Sequence, residues 1–208
     1  ADPYNMLTNA GTKLDLWLLG GNHSYHGEGV AFEPEGVLST IPAIVNVTFG
    51  YLAGKWIQQK GKDYEGLAKL LLAGALLVAL ALGWDRFFPI NKKLWTSSFV
   101  LLTAGIDCII LSALIYITDF LQKRKWTYFF EVFGKNPLFI YLFSEIGAIL
   151  LGFFRVGDNY QPLHRWIFEN VFSLPGMYFG SFLFAIIFML VCWLVGYFLD
   201  KRKIYIRV

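Results

Sequence analysis

The chain has 208 residues, of which 56% are hydrophobic and only 16% charged, and its mean hydropathy is +0.51. That is too apolar for an ordinary soluble domain and fits an all-α polytopic membrane protein. The formal net charge of +3 matters less than its placement, because the charges cluster between long apolar runs.

Residues 1–36 read as a polar, glycine-rich outer loop interrupted by an apolar patch at Leu14, Leu16, Trp17, Leu18 and Leu19. The loop ends in an acidic elbow, Phe32-Glu33-Pro34-Glu35-Gly36, that feeds directly into the first apolar run. Five spans are expected in the domain from 37 to 208: about Val37–Ile57, Leu67–Trp84, Leu94–Thr118, a fourth opened by Gly134-Lys135-Asn136-Pro137 and ending near Phe154, and Met177–Leu199. Each is long enough to cross a bilayer core. Pro137 suits the first turn of its helix, where an N–H is free in any case. Between the last two spans, Leu163, Trp166, Ile167, Val171 and Leu174 recur at helical spacing, which predicts a short interfacial helix. Gly50 and Gly54 are spaced for close helix packing.

Five crossings divide all 18 basic residues into twelve and six. One side holds Lys55, Lys60, Lys62, Lys69, Lys123, Arg124, Lys125, Lys135, Lys201, Arg202, Lys203 and Arg207; the other holds Lys13, Arg86, Lys92, Lys93, Arg155 and Arg165. The excess of cations on the cytoplasmic side places the N-terminal loop and the elbow outside and the C-terminus in the cytoplasm. The chain begins at Ala1 without a signal peptide, so an earlier span is expected and the chain reads as part of a longer protein. Basic residues lining a membrane face argue against a nucleic-acid partner. No Walker loop, dinucleotide fingerprint, serine elbow or metal motif occurs. Cys108 and Cys192 lie inside apolar runs and read as buried thiols.

Several polar residues could carry chemistry. Glu33 reads as a solvated turn residue beside a helix start. Glu35, nearer that start, suits either a solvated turn or the wall of a cavity. His23 and His26 lie in a glycine-rich loop, where exposure is the simpler reading and general-base chemistry the sharper one. Asn91, Lys92, Lys93 and Trp95 are equally compatible with interfacial anchoring and with holding a sugar. Asp107 lies about 18 Å along its helix from Trp95, near the bilayer midplane. A carboxylate there is costly and marks a functional position unless it is neutral or paired. Asn136 and Glu145 in the fourth span raise the same question.

The runs FEPEGVLSTIPAIV, PINKKLWTSSFV and GKNPLFIY, in that order, resemble the heparan-α-glucosaminide N-acetyltransferase family, whose bacterial members include some labelled putative N-acetylglucosamine transporters. Asp15 and His23, in KLDLWLLGGNHSY, occupy the positions of that family's outer aspartate and histidine. The resemblance implies the C-terminal half of a multi-span enzyme that passes an acetyl group from cytoplasmic acetyl-CoA to an amino sugar outside, without a metal. It implies an acceptor side lined by Asp15, His23, Glu35, Asn91, Lys92 and Trp95, and a donor path past Asn136 and Glu145; Asp107 belongs to no motif of that family and joins them as an intramembrane polar residue through its midplane position. The family's catalytic histidine precedes this region, so no catalytic residue is assigned. The expected partners are the N-terminal half of the same protein, the bilayer of a bacterial inner membrane, an amino sugar and a second copy of the chain. A sugar transporter that uses Asp107 and Glu145 to couple protons is the alternative. The chain departs from the family pattern at Glu33, where an aspartate is usual, and at Ser144, where animal members have a histidine.

Overall fold

The computed structural model describes residues 3–27, 29–60, 63–157, 160–174 and 176–206. Lys62 and Arg207, both counted among the cytoplasmic cations, lie outside these residues. The chain divides into two units, 1–123 and 124–208.

The first unit holds four helices: α1 (Ala10–Leu19), α2 (Val37–Lys60), α3 (Tyr64–Trp84) and α4 (Ser97–Ile115), which continues as a π-helical turn through Tyr116–Phe120. Helix α1 starts at Asn9, whose Oδ1 accepts the Thr12 N–H at 2.8 Å. The Asn9 amide donates to the Asn5 and Met6 carbonyls, and the Thr12 hydroxyl also donates to Met6. This buried cap explains why the apolar patch is a helix and not part of an irregular loop.

Helices α3 and α4 form the tightest pair. They cross where Gly74 and Gly105 meet, and a Cβ on either would lie 2.7 Å from the other's carbonyl oxygen. Removing both side chains lets the backbones approach, which is how apolar helices gain dispersion energy in lipid. The close contact expected at Gly50 and Gly54 is not made: a Cβ at either would meet nothing within 4 Å. Spacing alone suggested it, but the close approach goes to Gly74 and Gly105, where both partners lack a side chain. Helix α2 buries no residue fully and stands off from the α3–α4 pair, leaving apolar clefts along its flank.

The second unit contains α5 (Thr127–Lys135), α6 (Pro137–Phe153), a two-residue antiparallel ladder between β1 (Arg155–Val156) and β2 (Gln161–Pro162), α7 (Leu163–Ile167) with a π-helical continuation through Phe172, and α8 (Met177–Lys201). Pro137 opens α6 as expected, and the α5–α6 pair bends by 84° at Asn136. Phe129 of α5 stacks on Trp193 of α8 at 5.5 Å, and the Trp193 indole donates to the Phe129 carbonyl. The helical periodicity after Phe154 corresponds to Leu163–Phe172, preceded by the small ladder.

Helices α2, α3, α8 and the continuous Ser97–Phe120 segment are long and apolar enough to cross a membrane, and the bent α5–α6 pair makes a fifth if it counts as one span. The protein is an all-α polytopic membrane protein. Replacing Gly74 with leucine should destabilise the α3–α4 pair by about 1–3 kcal/mol through overpacking, whereas Gly50→Leu should be near neutral. Thermal unfolding of the two variants in detergent checks the difference.

Candidate functional site

The polar features of the first unit converge at the α1 end. Asp15 projects from α1 and is 2% exposed. Its Oδ1 accepts the Val37 N–H at 2.9 Å, so a side chain 22 residues upstream caps α2. The other carboxylate oxygen lies over Gly36, where a Cβ would come within 2.0 Å of it. Glycine is required there because the carboxylate occupies the side chain's place. A carboxylate at a helix N-terminus also gains from the helix dipole, by about 0.3–1 kcal/mol and more when partly buried.

The acidic elbow is anchored by Phe32, which is buried, donates its N–H to the Tyr25 carbonyl at 3.0 Å and packs edge-on against the Tyr25 ring. Lys93 lies over the Phe32 ring, 5.7 Å from its centroid. The loop carrying Lys93 is shaped by Asn91, whose Oδ1 accepts the Lys93 and Leu94 N–H groups at 2.9 and 3.2 Å. Thr96 then caps α4 through the Phe99 N–H, and its hydroxyl donates to the Pro89 carbonyl.

Between these parts lies a cleft of about 50 Å³ lined by Asp15, Glu33, Asn91 and Lys93, with Tyr4, Asn9, Thr12 and Phe32 around them. At roughly 30 Å³ for one water, the cleft holds a small polar group and not a whole sugar ring. The structure therefore brings Asp15 and Asn91 together. Glu33 lines the cleft with them, while Glu35 is exposed and contributes its N–H to Glu33 Oε1 at 3.3 Å. Lys93 lines it and Lys92 does not, although both are exposed. His23 is exposed, with Nδ1 3.1 Å from the Leu19 carbonyl.

Trp95 is half-buried and turns toward the membrane helices. It adopts φ +51°, the left-handed region that costs a bulky residue strain. Its indole donates to Asn46 Oδ1 of α2 at 3.2 Å, and the Asn46 amide donates to the Thr103 hydroxyl of α4 at 3.1 Å. Asn46 was not singled out in the sequence, although a lone amide inside an apolar run is a signal for such a bridge.

Asp107 is exposed in the middle of α4, and Glu145 is exposed on α6. Among the described residues neither has a hydrogen-bond or ion-pair partner. Asn136 is fully buried in the second unit. Its amide donates to the Ile204 carbonyl at 3.1 Å and its Oδ1 accepts the Ile206 N–H at 2.8 Å, so it ties the bend between α5 and α6 to the segment after α8. The neighbouring Asp200 accepts from Lys135 and Tyr128 at 2.8 Å and from Tyr205 at 3.1 Å. The Asp200 cluster is not visible in the sequence because Lys135 and Tyr128 lie 65 and 72 residues away from Asp200. On the surface, the Arg165 guanidinium, with Gln161, holds the Glu169 carboxyl below the usual carboxylate range. Among the described residues, no group of three or more His, Cys, Asp or Glu side chains is placed to hold a metal.

Several membrane helices with a small polar cleft at one end of a unit define the class: a polytopic membrane protein with a site built where helix caps and loops meet. No family model matches the chain. It is 30% identical to human heparan-alpha-glucosaminide N-acetyltransferase over 185 residues, covering 80% of this chain and 26% of that protein. It is 33% identical to the mouse protein of the same name over 152 residues, covering 64% of this chain and 22% of that protein. The chain belongs to the heparan-α-glucosaminide N-acetyltransferase family, a family of membrane acetyltransferases, and spans about a quarter of the length of these relatives.

Asp15→Ala should lower stability by about 1–2 kcal/mol as the α2 cap is lost, and Gly36→Ala should be comparably damaging because its Cβ meets the carboxylate. Asn136→Ala should cost about 1–3 kcal/mol by leaving the Ile206 N–H and Ile204 carbonyl unpaired. Chemical-denaturant unfolding in detergent checks the first pair, and hydrogen exchange at Ile206 checks the last.

Proposed function

We propose that the chain forms the acceptor side of a membrane acetyltransferase that moves an acetyl group from cytoplasmic acetyl-CoA to the amine of an amino sugar on the outer side. The sequence relation to heparan-α-glucosaminide N-acetyltransferases, which covers 80% of this chain, supports it, together with the small polar cleft lined by Asp15, Glu33 of the elbow and the Asn91 loop. The cleft suits an ammonium group: Asp15 and Glu33 supply negative charge, and Asn91 and Lys93 border the remainder. His23, Glu35 and Lys92 flank it in sequence and would meet the sugar outside the cleft, while Trp95 braces the Asn91 loop against α2 through Asn46. In the reaction the amine, having lost a proton, attacks the thioester carbonyl. The carbon–sulfur bond breaks, and CoA leaves as the thiol. The base that takes the proton is not assigned to this chain.

In this reading the cleft faces the outside of a bacterial inner membrane, and the end of α2 at Lys60 faces the cytoplasm, in keeping with the excess of basic residues on that side. Asn136 acts on the donor path by holding the α5–α6 bend. The rest of a longer protein, and a second copy of the chain, are its proposed partners. A second reading, sugar transport coupled to protons, draws on the exposed Asp107 and Glu145, since unpaired carboxylates on apolar helices are costly unless they are used.

The test is acetyl transfer to glucosamine by the longer protein that contains this chain, which includes the expected N-terminal half, in liposomes loaded with acetyl-CoA. Glu33→Gln and Asn91→Ala should each lower kcat/KM about tenfold to a hundredfold. If the protein neither binds acetyl-CoA nor acetylates any amino sugar, the proposal fails. Uptake of labelled N-acetylglucosamine that is lost in Asp107→Asn would favour transport instead.

A further inference from the structure

The far end of the first unit carries a feature that the acceptor cleft does not use. Helix α2 runs about 35 Å from Val37 to Lys60, and near its end an apolar groove of about 480 Å³ opens between it and the α3–α4 pair, walled by Leu52, Trp56, Ala73 and Leu77. A smaller polar pocket of about 70 Å³, lined by Lys60, Asp63, Glu65 and Lys69, adjoins it. The two share Trp56 and Lys69, so they form one slot with an apolar body and a charged mouth.

The mouth is built by specific contacts. The Trp56 indole donates to the Gly66 carbonyl at 3.0 Å. Gly66 is buried, and a Cβ there would lie 2.0 Å from the Lys60 carbonyl oxygen, so glycine lets the end of α2 close on the start of α3. Lys69 and Glu65 form an i,i+4 pair whose side chains are 57% and 77% exposed. Such a pair contributes little and can be rearranged around a ligand.

We propose that this slot binds a phospholipid with a primary-ammonium headgroup, phosphatidylethanolamine, as a resident lipid. One acyl chain lies in the groove, the phosphate meets Lys60 and Lys69, and the ammonium meets Asp63 and Glu65. Charge complementarity selects the occupant. Among the described residues, two cations and two carboxylates line the mouth and match a zwitterion, whereas a purely anionic headgroup would meet as much repulsion as attraction from them. A primary ammonium also donates hydrogen bonds to carboxylates, which a quaternary choline cannot do. Trp56 at the junction suits the boundary between acyl chains and headgroups, where tryptophan concentrates.

The test is native mass spectrometry of the full chain released from nanodiscs containing equal parts phosphatidylethanolamine, phosphatidylcholine and phosphatidylglycerol. Phosphatidylethanolamine should be retained several-fold over the other two. The double variant Asp63→Asn, Glu65→Gln should lose that preference over phosphatidylcholine while still retaining lipid, and Ala73→Phe should lose retention by filling the groove. Asp63 and Glu65 are exposed, so the double variant keeps the test valid if Ala73→Phe fails to fold. Equal retention of the three lipids, a preference for phosphatidylglycerol, or a preference unchanged in the double variant would each overturn the proposal.

Discussion

The first unit depends on one hydrogen bond across 22 residues, from the Val37 N–H to the Asp15 carboxylate. A membrane helix that starts at an interface leaves N–H groups that water or a side chain must satisfy. Here the satisfying group comes from a preceding helix, so α1 and the start of α2 are fixed to each other. That connection holds the elbow in place, with Glu33 and not Glu35 as the elbow's carboxylate that lines the cleft beside Asp15. It also explains why Gly36 has no side chain.

The same economy recurs in the second unit. The bend between α5 and α6 exposes backbone groups that a straight helix would pair internally. Asn136, fully buried, turns both ends of its amide on the backbone after α8, and Lys135 next to it pairs with Asp200. An asparagine at the start of a membrane run suggests a polar group on a donor path, and the bonds of Asn136 are those of a clamp. A polar residue inside an apolar helix is therefore ambiguous until its partner is known, because hydrogen bonds that shape the backbone and those that serve a ligand use the same side chains.

The spans were legible because burial in lipid imposes a run of about twenty apolar residues, a signal that sums over the whole segment. Their ends lie within a few residues of the expected ones, and Pro137 marked a helix start correctly. Helix α1 was not legible as a helix: ten residues with a weakly one-sided apolar pattern depend on the Asn9 cap and on docking through Asp15. In the cleft, residue types were readable and partners were not. Asp15 and Asn91 line one cleft, but the choice between Glu33 and Glu35, and between Lys92 and Lys93, depends on which side of a turn each falls. A turn reverses direction within one or two residues, and composition carries no record of that.

Helix α2 links these observations. It is capped by Asp15 at one end, bridged to α4 through Asn46 and Thr103 partway along, and closed onto α3 by Trp56 and Gly66 at the other end. Between these polar ties its glycines Gly50 and Gly54 make no close contact, and apolar clefts remain beside it. In water such clefts would collapse to hide apolar surface. In a bilayer no hydrophobic force closes them, because acyl chains are as apolar as the walls. The ties set where α2 stands, and lipid is free to fill the spaces that they leave. The α3–α4 pair, with Gly74 against Gly105, is the opposite case, in which backbone contact alone decides the packing. A helix held by point contacts can shift about them at less cost than one held along its length, and α2 carries the elbow on its N-terminus. Any movement of α2 in this unit is therefore transmitted to the cleft through Val37 and Asp15.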